Sequence, residues 1–202
     1  MFNTKTAQIN ANEFTSNYIP AGINDNVHLK SVDVKKSPNG LDFIEITFEN
    51  DEGQIATMTE WKNEKNMWIK TDEDLQKRDN LQFGRMMQII NSLGITIEDT
   101  ELNTFVDMIN WVKAQLDPKI AEKKPLRLKV AYDNKGYTKV SSYGIFVEPM
   151  DVENTQIKKF AKDNFERVIK ADDESNDPLA SLATDSTPAT SENSNTDNVL
   201  PF

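Results

Sequence analysis

The chain has 202 residues, the length of one domain or of one domain with extensions. It carries 23 basic and 33 acidic residues, for a net charge of −10, and has no cysteine, which excludes disulfide frameworks, thiolate zinc sites and cysteine nucleophiles. With only one histidine as well, the sequence predicts no metal, no other cofactor and no enzymatic activity. No apolar run is long enough to span a membrane, and no signal peptide is recognisable, so we expect a cytoplasmic protein without membrane contact.

Three antiparallel strands in a meander are predicted for the first part of the chain. Before them, residues 1–20 show no clear hydrophobic period and are interpreted as an N-terminal arm or an edge strand. Apolar residues alternate from Val27 onward, with a change of phase near Lys30–Ser31 that a β-bulge would produce. Asn39-Gly40 is a strong hairpin signal. The other elements of the meander are strands over Leu41–Glu49 and Ile55–Trp61, joined by a turn at Asn50–Gly53.

A charged stretch and two helices are predicted after the meander. Residues 62–78 lack a clear period and predict a long loop or a projecting hairpin. Apolar residues recur with helical spacing over Asp79–Leu93, and Gly94 is typical of a helix C-terminus. The strongest helical stripe covers Asp99–Leu116, and Asp117-Pro118 predicts its end.

A two-stranded hairpin and a closing helix complete the predicted body. Apolar residues alternate with Arg127 and Lys129, so these two basic residues are expected on the outer face of a strand. The next elements are a turn at Asp133–Gly136, a strand over Tyr137–Val147 and an amphipathic helix over Asn154–Lys170.

The order of these elements predicts a mostly β fold with a helical insert. Five short strands, with helices between strands 3 and 4 and after strand 5, are the chain order of an OB-fold-like Greek-key barrel. A split α+β sandwich would give a similar string of elements and is the alternative. The predicted divisions are an arm over residues 1–20, a barrel domain over residues 21–170 and a tail over residues 171–202.

The tail differs from the body in composition. It is rich in Ser, Thr, Asn, Asp and Pro, holds seven acidic residues and no basic one, and has almost nothing to bury. Such a segment is predicted to be disordered. A tethered polyanion of this kind is expected to occupy a cationic groove until DNA displaces it. Its apolar tip, Val199–Phe202, would then be free to dock elsewhere.

Aromatic and basic residues interleave along the predicted strands and loops. Single-stranded nucleic acid needs cations for its phosphates and flat rings for its bases, and OB barrels bind it across strands 2 and 3 and the adjoining loops. Trp68 is the strongest stacking candidate, because a tryptophan in a charged loop has no evident core to join. The predicted DNA-binding residues are Lys30, Lys35, Lys36, Trp61, Lys62, Lys65, Trp68, Lys70, Arg127, Lys129, Tyr137, Lys139 and Tyr143.

The end of the tail resembles that of bacterial single-stranded DNA-binding proteins. Those proteins end in Asp-Asp-Asp-Ile/Leu-Pro-Phe, which Asp197, Leu200, Pro201 and Phe202 match, whereas the two residues between Asp197 and Leu200 depart from it. The resemblance implies that the tip, and Phe202 above all, binds replication proteins such as a polymerase, a helicase or a primase.

The body resembles a different group, the single-stranded DNA-binding proteins of bacteriophages. The resemblance lies in Ile19–Ile23, in Ser37–Leu41 and in the strand Phe43–Phe48, within a stretch of roughly Tyr18–Trp61. It implies non-enzymatic coating of single-stranded DNA in phage DNA replication, recombination and repair, in the cytoplasm of the host cell.

Two other functions fit parts of the pattern. A protein-interaction adaptor of the replication machinery, whose barrel binds one protein and whose tail recruits another, fits a body of nearly neutral charge, since dedicated nucleic-acid binders are often basic. An acidic metal-dependent nuclease would need a compact carboxylate cluster, and the sequence singles out none. Both a monomer and a homodimer are compatible with the sequence.

Overall fold

The computed structural model describes residues 16–167. The first 15 residues of the predicted arm lie outside the described residues, as does the whole predicted tail with Asp197, Leu200, Pro201 and Phe202. The described residues form a mostly β fold, in which two helices follow the third strand of a nearly closed antiparallel barrel. The mostly β class and the position of the helical insert are therefore confirmed.

The barrel is built from five strands, and a short sixth strand lies beside them. They are β1 (Gly22–Lys36), β2 (Asp42–Asn50), β3 (Ile55–Trp61), β4 (Leu126–Tyr132), β5 (Thr138–Val140) and β6 (Val147–Pro149). The order around the barrel is β3-β2-β1-β4-β5 with antiparallel ladders throughout, and β6 pairs with β4. No ladder within residues 16–167 joins β3 to β5, although their Cα atoms approach within 8 Å. The barrel is therefore nearly, but not fully, closed.

The predicted meander of β1 to β3 is confirmed in its order, and so is the predicted bulge in β1. The β1–β2 pairing shifts between Leu29 and Ser31, where the change of phase predicted a bulge. Beyond the β1–β2 turn, Ile44, Ile46 and Phe48 all face the core and are fully buried. The outer face of the meander therefore carries the alternate residues, which include Lys35 and Trp61.

Residues 17–19, just ahead of β1, pair with the start of β3. Ile19 N–H donates to the Ile55 carbonyl at 2.9 Å, and Ile55 N–H donates to the Asn17 carbonyl at 2.9 Å. Residues 17–19 thus run parallel to the start of β3, in agreement with an edge strand. Ile19 is fully buried, whereas Tyr18, which points the other way, is 54% exposed. The pairing therefore fixes an aromatic ring at the surface.

Two helices, α1 (Asp72–Ser92) and α2 (Phe105–Ile120), cover the barrel core. Each begins at a capping box in which a threonine side chain accepts a backbone N–H and an aspartate side chain accepts the N–H of that threonine. Because these boxes set the helix starts, α1 begins well before the predicted Asp79 and α2 begins after the predicted Asp99. The predicted end of α2 at Asp117-Pro118 is also wrong, because Pro118 lies inside the helix, which continues to Ile120. Neither helix is long and apolar enough to cross a membrane, among the residues described.

After β5, residues 141–167 form an irregular layer over β4 in place of the predicted strand and helix. We call these residues the irregular layer. The predicted strand over Tyr137–Val147 is divided into β5 and β6, and the predicted helix over Asn154–Lys170 is wrong for its described part. Side chains bind the N–H groups that a helix would need: Glu148 accepts from Gln156 at 2.9 Å, and Asp163 accepts from Phe160 at 2.8 Å. These local bonds favour an irregular path, with Ile157 buried beneath it.

Candidate nucleic-acid interface

The predicted binding lysines on β1 are paired with carboxylates of β2. Lys30 lies 2.6 Å from Glu49, Lys36 lies 2.8 Å from Asp42, and Lys35 is hydrogen-bonded to Glu45. The bond to Glu45 raises the pKa of Lys35, and the bond from Lys30 lowers the pKa of Glu49. The charges of the three pairs therefore compensate each other. We call these three ion pairs between β1 and β2 the paired-lysine face.

The two predicted basic residues of β4 lie beneath the irregular layer. Arg127 contacts Asp25 and Glu148 at 2.7 Å, and its side chain is only 18% exposed. Lys129 is fully buried and lies 2.8 Å from Asp163. The prediction that both residues present their charge on an outer face is wrong, because alternation along a strand does not show what packs over it. Both residues instead attach the layer to β4.

Trp61 lies at the end of β3 on the outer side of the barrel. Its ring stacks on that of Phe43, with the ring centres 4.2 Å apart and an angle of 24° between the planes. Its carbonyl accepts a hydrogen bond from Gln82 of α1 at 2.8 Å, which fixes the end of the strand. The side chain is nevertheless 43% exposed. Trp61 therefore offers a supported ring surface at the rim of the barrel.

Trp68 is held outward by a tight turn in the loop that follows β3. The Asn66 side chain accepts the N–H groups of Trp68 at 2.8 Å and of Ile69 at 3.0 Å. Ile69 is 7% exposed and anchors the turn, while Trp68 is 81% exposed and its neighbour Met67 is 73% exposed. The expectation that Trp68 has no core to join is confirmed.

A groove of about 580 Å³ lies between Trp61 and Ile69 and is also lined by Leu41 and Val106. The basic residues of this region are Lys62 and Lys70, which form no ion pair with a carboxylate in residues 16–167, and Lys65, which lies 2.7 Å from Asp72. We call the region the tryptophan surface; its members are Trp61, Lys62, Lys65, Trp68 and Lys70. All five were predicted from the sequence.

A second aromatic region surrounds the β4–β5 turn. Two adjoining depressions, of about 330 and 380 Å³, share Tyr132 in their linings. The first is also lined by Tyr18, Tyr137 and Arg167, and the second by Lys135, Lys139, Tyr143 and Lys162. All four tyrosines of the chain thus meet here. We call these eight residues the tyrosine surface.

The tyrosine surface has four cations and, among the residues described, one carboxylate in its lining, that of Asp133. Its four basic side chains, Lys135, Lys139, Lys162 and Arg167, are exposed and form no ion pair within residues 16–167. The nearby Asp133 is engaged by the turn, because its carboxylate accepts the N–H groups of Lys135 at 2.8 Å and of Tyr137 at 3.0 Å. Four cations against one carboxylate leave the region with an excess of positive charge, which attracts a polyanion.

Rings and cations of the tyrosine surface are close enough to act together. The ammonium of Lys162 lies 5.8 Å from the centre of the Tyr143 ring. Tyr137 is 66% exposed and Tyr143 is 41% exposed, so both rings present a face or edge to solvent. Arg167 packs over Gly136, where an added Cβ would come within 3.1 Å of its Nε. The β4–β5 turn thus presents its aromatic rings beside cations that come from a separate segment.

Sequence reasoning found three members of the tyrosine surface and missed five. Tyr137, Lys139 and Tyr143 were predicted. The missed residues are Tyr18, Tyr132, Lys135, Lys162 and Arg167. The closeness of tyrosines and lysines in the sequence around 132–143 is a signal for part of this set. The contribution of Tyr18 depends on its distant pairing with Ile55, and that of Arg167 on its packing over Gly136.

No protein-family model matches the chain, and no curated protein matches it significantly in sequence. Within residues 16–167, no three His, Asp or Glu side chains are grouped so that they could hold a metal ion. The two aromatic surfaces, with their rings and cations, are therefore the features of residues 16–167 that point to a function.

Proposed function

We propose that this chain is an OB-fold protein that binds single-stranded DNA with little sequence preference and performs no catalysis. The observation that carries the proposal is the tyrosine surface, where four aromatic rings meet four cations that lack carboxylate partners within residues 16–167. Rings that stack on bases and cations that follow the phosphates are the two requirements of sequence-tolerant binding to single strands.

The order of the strands supports the OB assignment. A three-stranded meander is followed by the helical insert and then by the β4–β5 hairpin, as in OB barrels. OB barrels bind oligonucleotides with strands 2 and 3 and with the loops between strands 1 and 2 and between strands 4 and 5. The tyrosine surface surrounds the second of these loops, and the groove of the tryptophan surface borders the first at Leu41.

The energetics favour a single strand over a duplex. Each base that stacks on an aromatic ring contributes roughly 1–3 kcal/mol, and this contribution is available only to unpaired bases. The phosphate contacts release counterions, so the logarithm of the binding constant falls with the logarithm of salt by about 0.7 for each phosphate neutralised. The proposed complex is therefore both salt-dependent and selective for single strands.

The biological setting follows from the resemblance carried by Ile19–Ile23, Ser37–Leu41 and Phe43–Phe48. We propose that the protein coats single strands in phage DNA replication, recombination and repair, within the host cytoplasm. Residues 171–202 then compete with DNA for the cations of the body through their seven carboxylates. The tip, with Asp197, Leu200, Pro201 and Phe202, recruits a replication protein such as a polymerase, helicase or primase.

The proposal is tested by fluorescence anisotropy of labelled oligo-dT and of a duplex of the same length, at two salt concentrations. We expect the full chain to bind the single strand and not the duplex, with weaker binding at high salt. A chain ending at Lys170 is expected to bind more tightly, because the competing carboxylates are gone. Equal or weaker binding by the shortened chain would refute the competing tail, and equal binding of both DNA forms would refute the proposed specificity.

A second candidate function is the protein-interaction adaptor. The observation that favours it is the paired-lysine face, because a barrel whose lysines are compensated offers phosphates little attraction there. The highly exposed Met67 and Trp68 would then contact a protein instead of bases. Failure of both chains to bind oligo-dT at low salt would select this function.

A further inference from the structure

We infer that the buried pair of Lys129 and Asp163 positions the tyrosine surface for nucleic acid. The inference rests on the proposed function, because it assigns the two side chains to the assembly of that same surface. Both side chains are fully buried, so neither contacts nucleic acid directly. Their role would be to hold the residues that do.

The Lys129 side chain is hydrogen-bonded to three separate points of the irregular layer. Its ammonium donates to the Tyr143 carbonyl at 2.7 Å, to the Lys158 carbonyl at 2.9 Å and to Asp163 Oδ2 at 2.8 Å. An ammonium has three N–H donors, and all three are used here. The backbone at Tyr143 and the backbone around Asp163 are therefore fixed relative to β4 and to each other.

Asp163 extends the same cluster to two further points. It accepts hydrogen bonds from the Ser141 hydroxyl and from the Phe160 N–H, the latter at 2.8 Å. Burial alone would raise the pKa of Asp163, but the hydrogen bonds from Lys129, Ser141 and Phe160 outweigh burial and hold the pKa below its ordinary value. The carboxylate therefore stays charged at neutral pH and accepts hydrogen bonds from three donors.

The anchored points are next to groups of the tyrosine surface. Tyr143 is bound through its own carbonyl, and Lys162 immediately precedes Asp163 in the chain. The Lys162 ammonium and the Tyr143 ring, 5.8 Å apart, come from opposite ends of the irregular layer. A shift of either end would separate a phosphate contact from a stacking ring.

A positioning role explains the buried pair of Lys129 and Asp163 better than a contribution to folding stability does. Buried ion pairs often contribute no more to folding than apolar side chains of similar size. The irregular layer contains only β6 as regular structure, so few backbone ladders fix its register over β4. Directed hydrogen bonds from one ammonium supply that register, which an apolar contact would not.

The pair of Arg127 and Glu148 provides a matched comparison. It also joins β4 to the layer, with a contact of 2.7 Å, and Glu148 is 5% exposed. Its second partner is Gln156, whose N–H donates to Glu148 at 2.9 Å. No residue of the tyrosine surface takes part. Glu148→Gln therefore weakens a buried ion pair of the same strand without releasing Tyr143 or Lys162.

The experiment compares three full-length variants with the unaltered chain. Lys129→Met combined with Asp163→Leu keeps the volume apolar and is expected to fold, as judged by its melting temperature. Asp163→Asn is the minimal change, and Glu148→Gln is the control. We expect the first two to lose about tenfold in oligo-dT affinity, the equivalent of one displaced stacking contact. The control is expected to stay within about twofold of the unaltered chain.

Two further readouts separate positioning from general destabilisation. Tyr143→Ala should weaken binding in the unaltered chain but have little effect when added to the Lys129→Met and Asp163→Leu chain, because the ring is already displaced. Amide hydrogen exchange should become faster over residues 141–145 and 158–163 in that double variant, and not in Glu148→Gln. The exchange readout does not require DNA binding.

The possible outcomes distinguish failure of the inference from failure of the proposed function. A folded Lys129→Met and Asp163→Leu chain with unchanged affinity and exchange would overturn the inference and leave the proposed function intact. Equal losses in Glu148→Gln would overturn it too, since they would indicate a general effect of destabilisation. Absence of oligo-dT binding by the unaltered chain would refute the proposed function and, with it, the role of the pair toward nucleic acid, while the exchange data would still decide whether the pair fixes the layer.

Discussion

The lysines of the paired-lysine face and those of the tyrosine surface have different partners. On the paired-lysine face, each predicted lysine of β1 contacts a carboxylate of β2 across the ladder. On the tyrosine surface, Lys139 and Lys162 have aromatic rings beside them and no ion pair within residues 16–167. The number of lysines on a surface therefore does not locate a polyanion site. The presence or absence of carboxylate partners does.

The largest expected effect comes from removing rings of the tyrosine surface. Tyr137→Ala combined with Tyr143→Ala should weaken oligo-dT binding by about 2 kcal/mol or more, because each exposed ring is expected to stack on a base. Titration by anisotropy measures the change. The matched control is the double change to phenylalanine, which keeps both rings and should stay within about twofold. Equal affinity of the alanine and phenylalanine variants would show that the rings do not stack.

Neutralising lysines in pairs tests the comparison directly. Lys139→Gln with Lys162→Gln should reduce the magnitude of the salt slope by about 1.4, since two phosphate contacts are lost, and weaken binding by roughly tenfold. Lys35→Gln with Lys36→Gln changes the net charge equally but should leave the slope nearly unchanged, because those lysines already have carboxylate partners. Similar salt slopes for the two double variants would show that carboxylate partners do not decide which lysines contact phosphates.

A smaller effect is expected from the tryptophan surface. Trp68→Ala should weaken oligo-dT binding by about 1 kcal/mol through the loss of one stacked base. The melting temperature should not change, because the side chain is 81% exposed. Met67→Ala is the matched control, since it alters the neighbouring and similarly exposed residue without removing a ring. An equal loss in both variants would indicate an apolar contact in place of stacking.

The smallest expected effect is a gain. Glu45→Gln with Glu49→Gln removes the partners of Lys35 and Lys30 and should raise oligo-dT affinity by about twofold at low salt, because two cations become available. Glu73→Gln with Glu122→Gln makes the same change in net charge on ion pairs of the helical region and serves as the control. If both double variants gain equally, net charge alone accounts for the effect.

Local signals were enough to predict the meander. The two turns and the alternation along β2 each involve residues close in sequence. The change of phase near Lys30–Ser31 indicates the bulge that the pairing shows between Leu29 and Ser31. The apolar stripes do not coincide with the helix starts, because the capping boxes at Thr71 and Thr104 set where the helices begin. Those caps are local signals, so the helix starts are also predictable from the sequence.

The candidate site was predictable only where exposure followed from local sequence. Trp68 was correctly expected to lie at the surface because its neighbours offer no core. Lys129 was expected outside because it alternates with core residues, yet Asp163 and the layer around it cover that side of β4. Tyr18 and Tyr132 reach the same surface through pairings with Ile55 and Asn164, which no local pattern indicates.

The pairing of residues 17–19 with β3 has a practical consequence for labelling. A fluorophore attached at Ser16 would lie next to the tyrosine surface and disturb what it is meant to report, because Ser16 and Tyr18 line the same depression. Leu81 on α1 is 66% exposed and lines neither aromatic surface. Because the chain has no cysteine, Leu81→Cys would give a single reactive thiol at which a reporter can be attached.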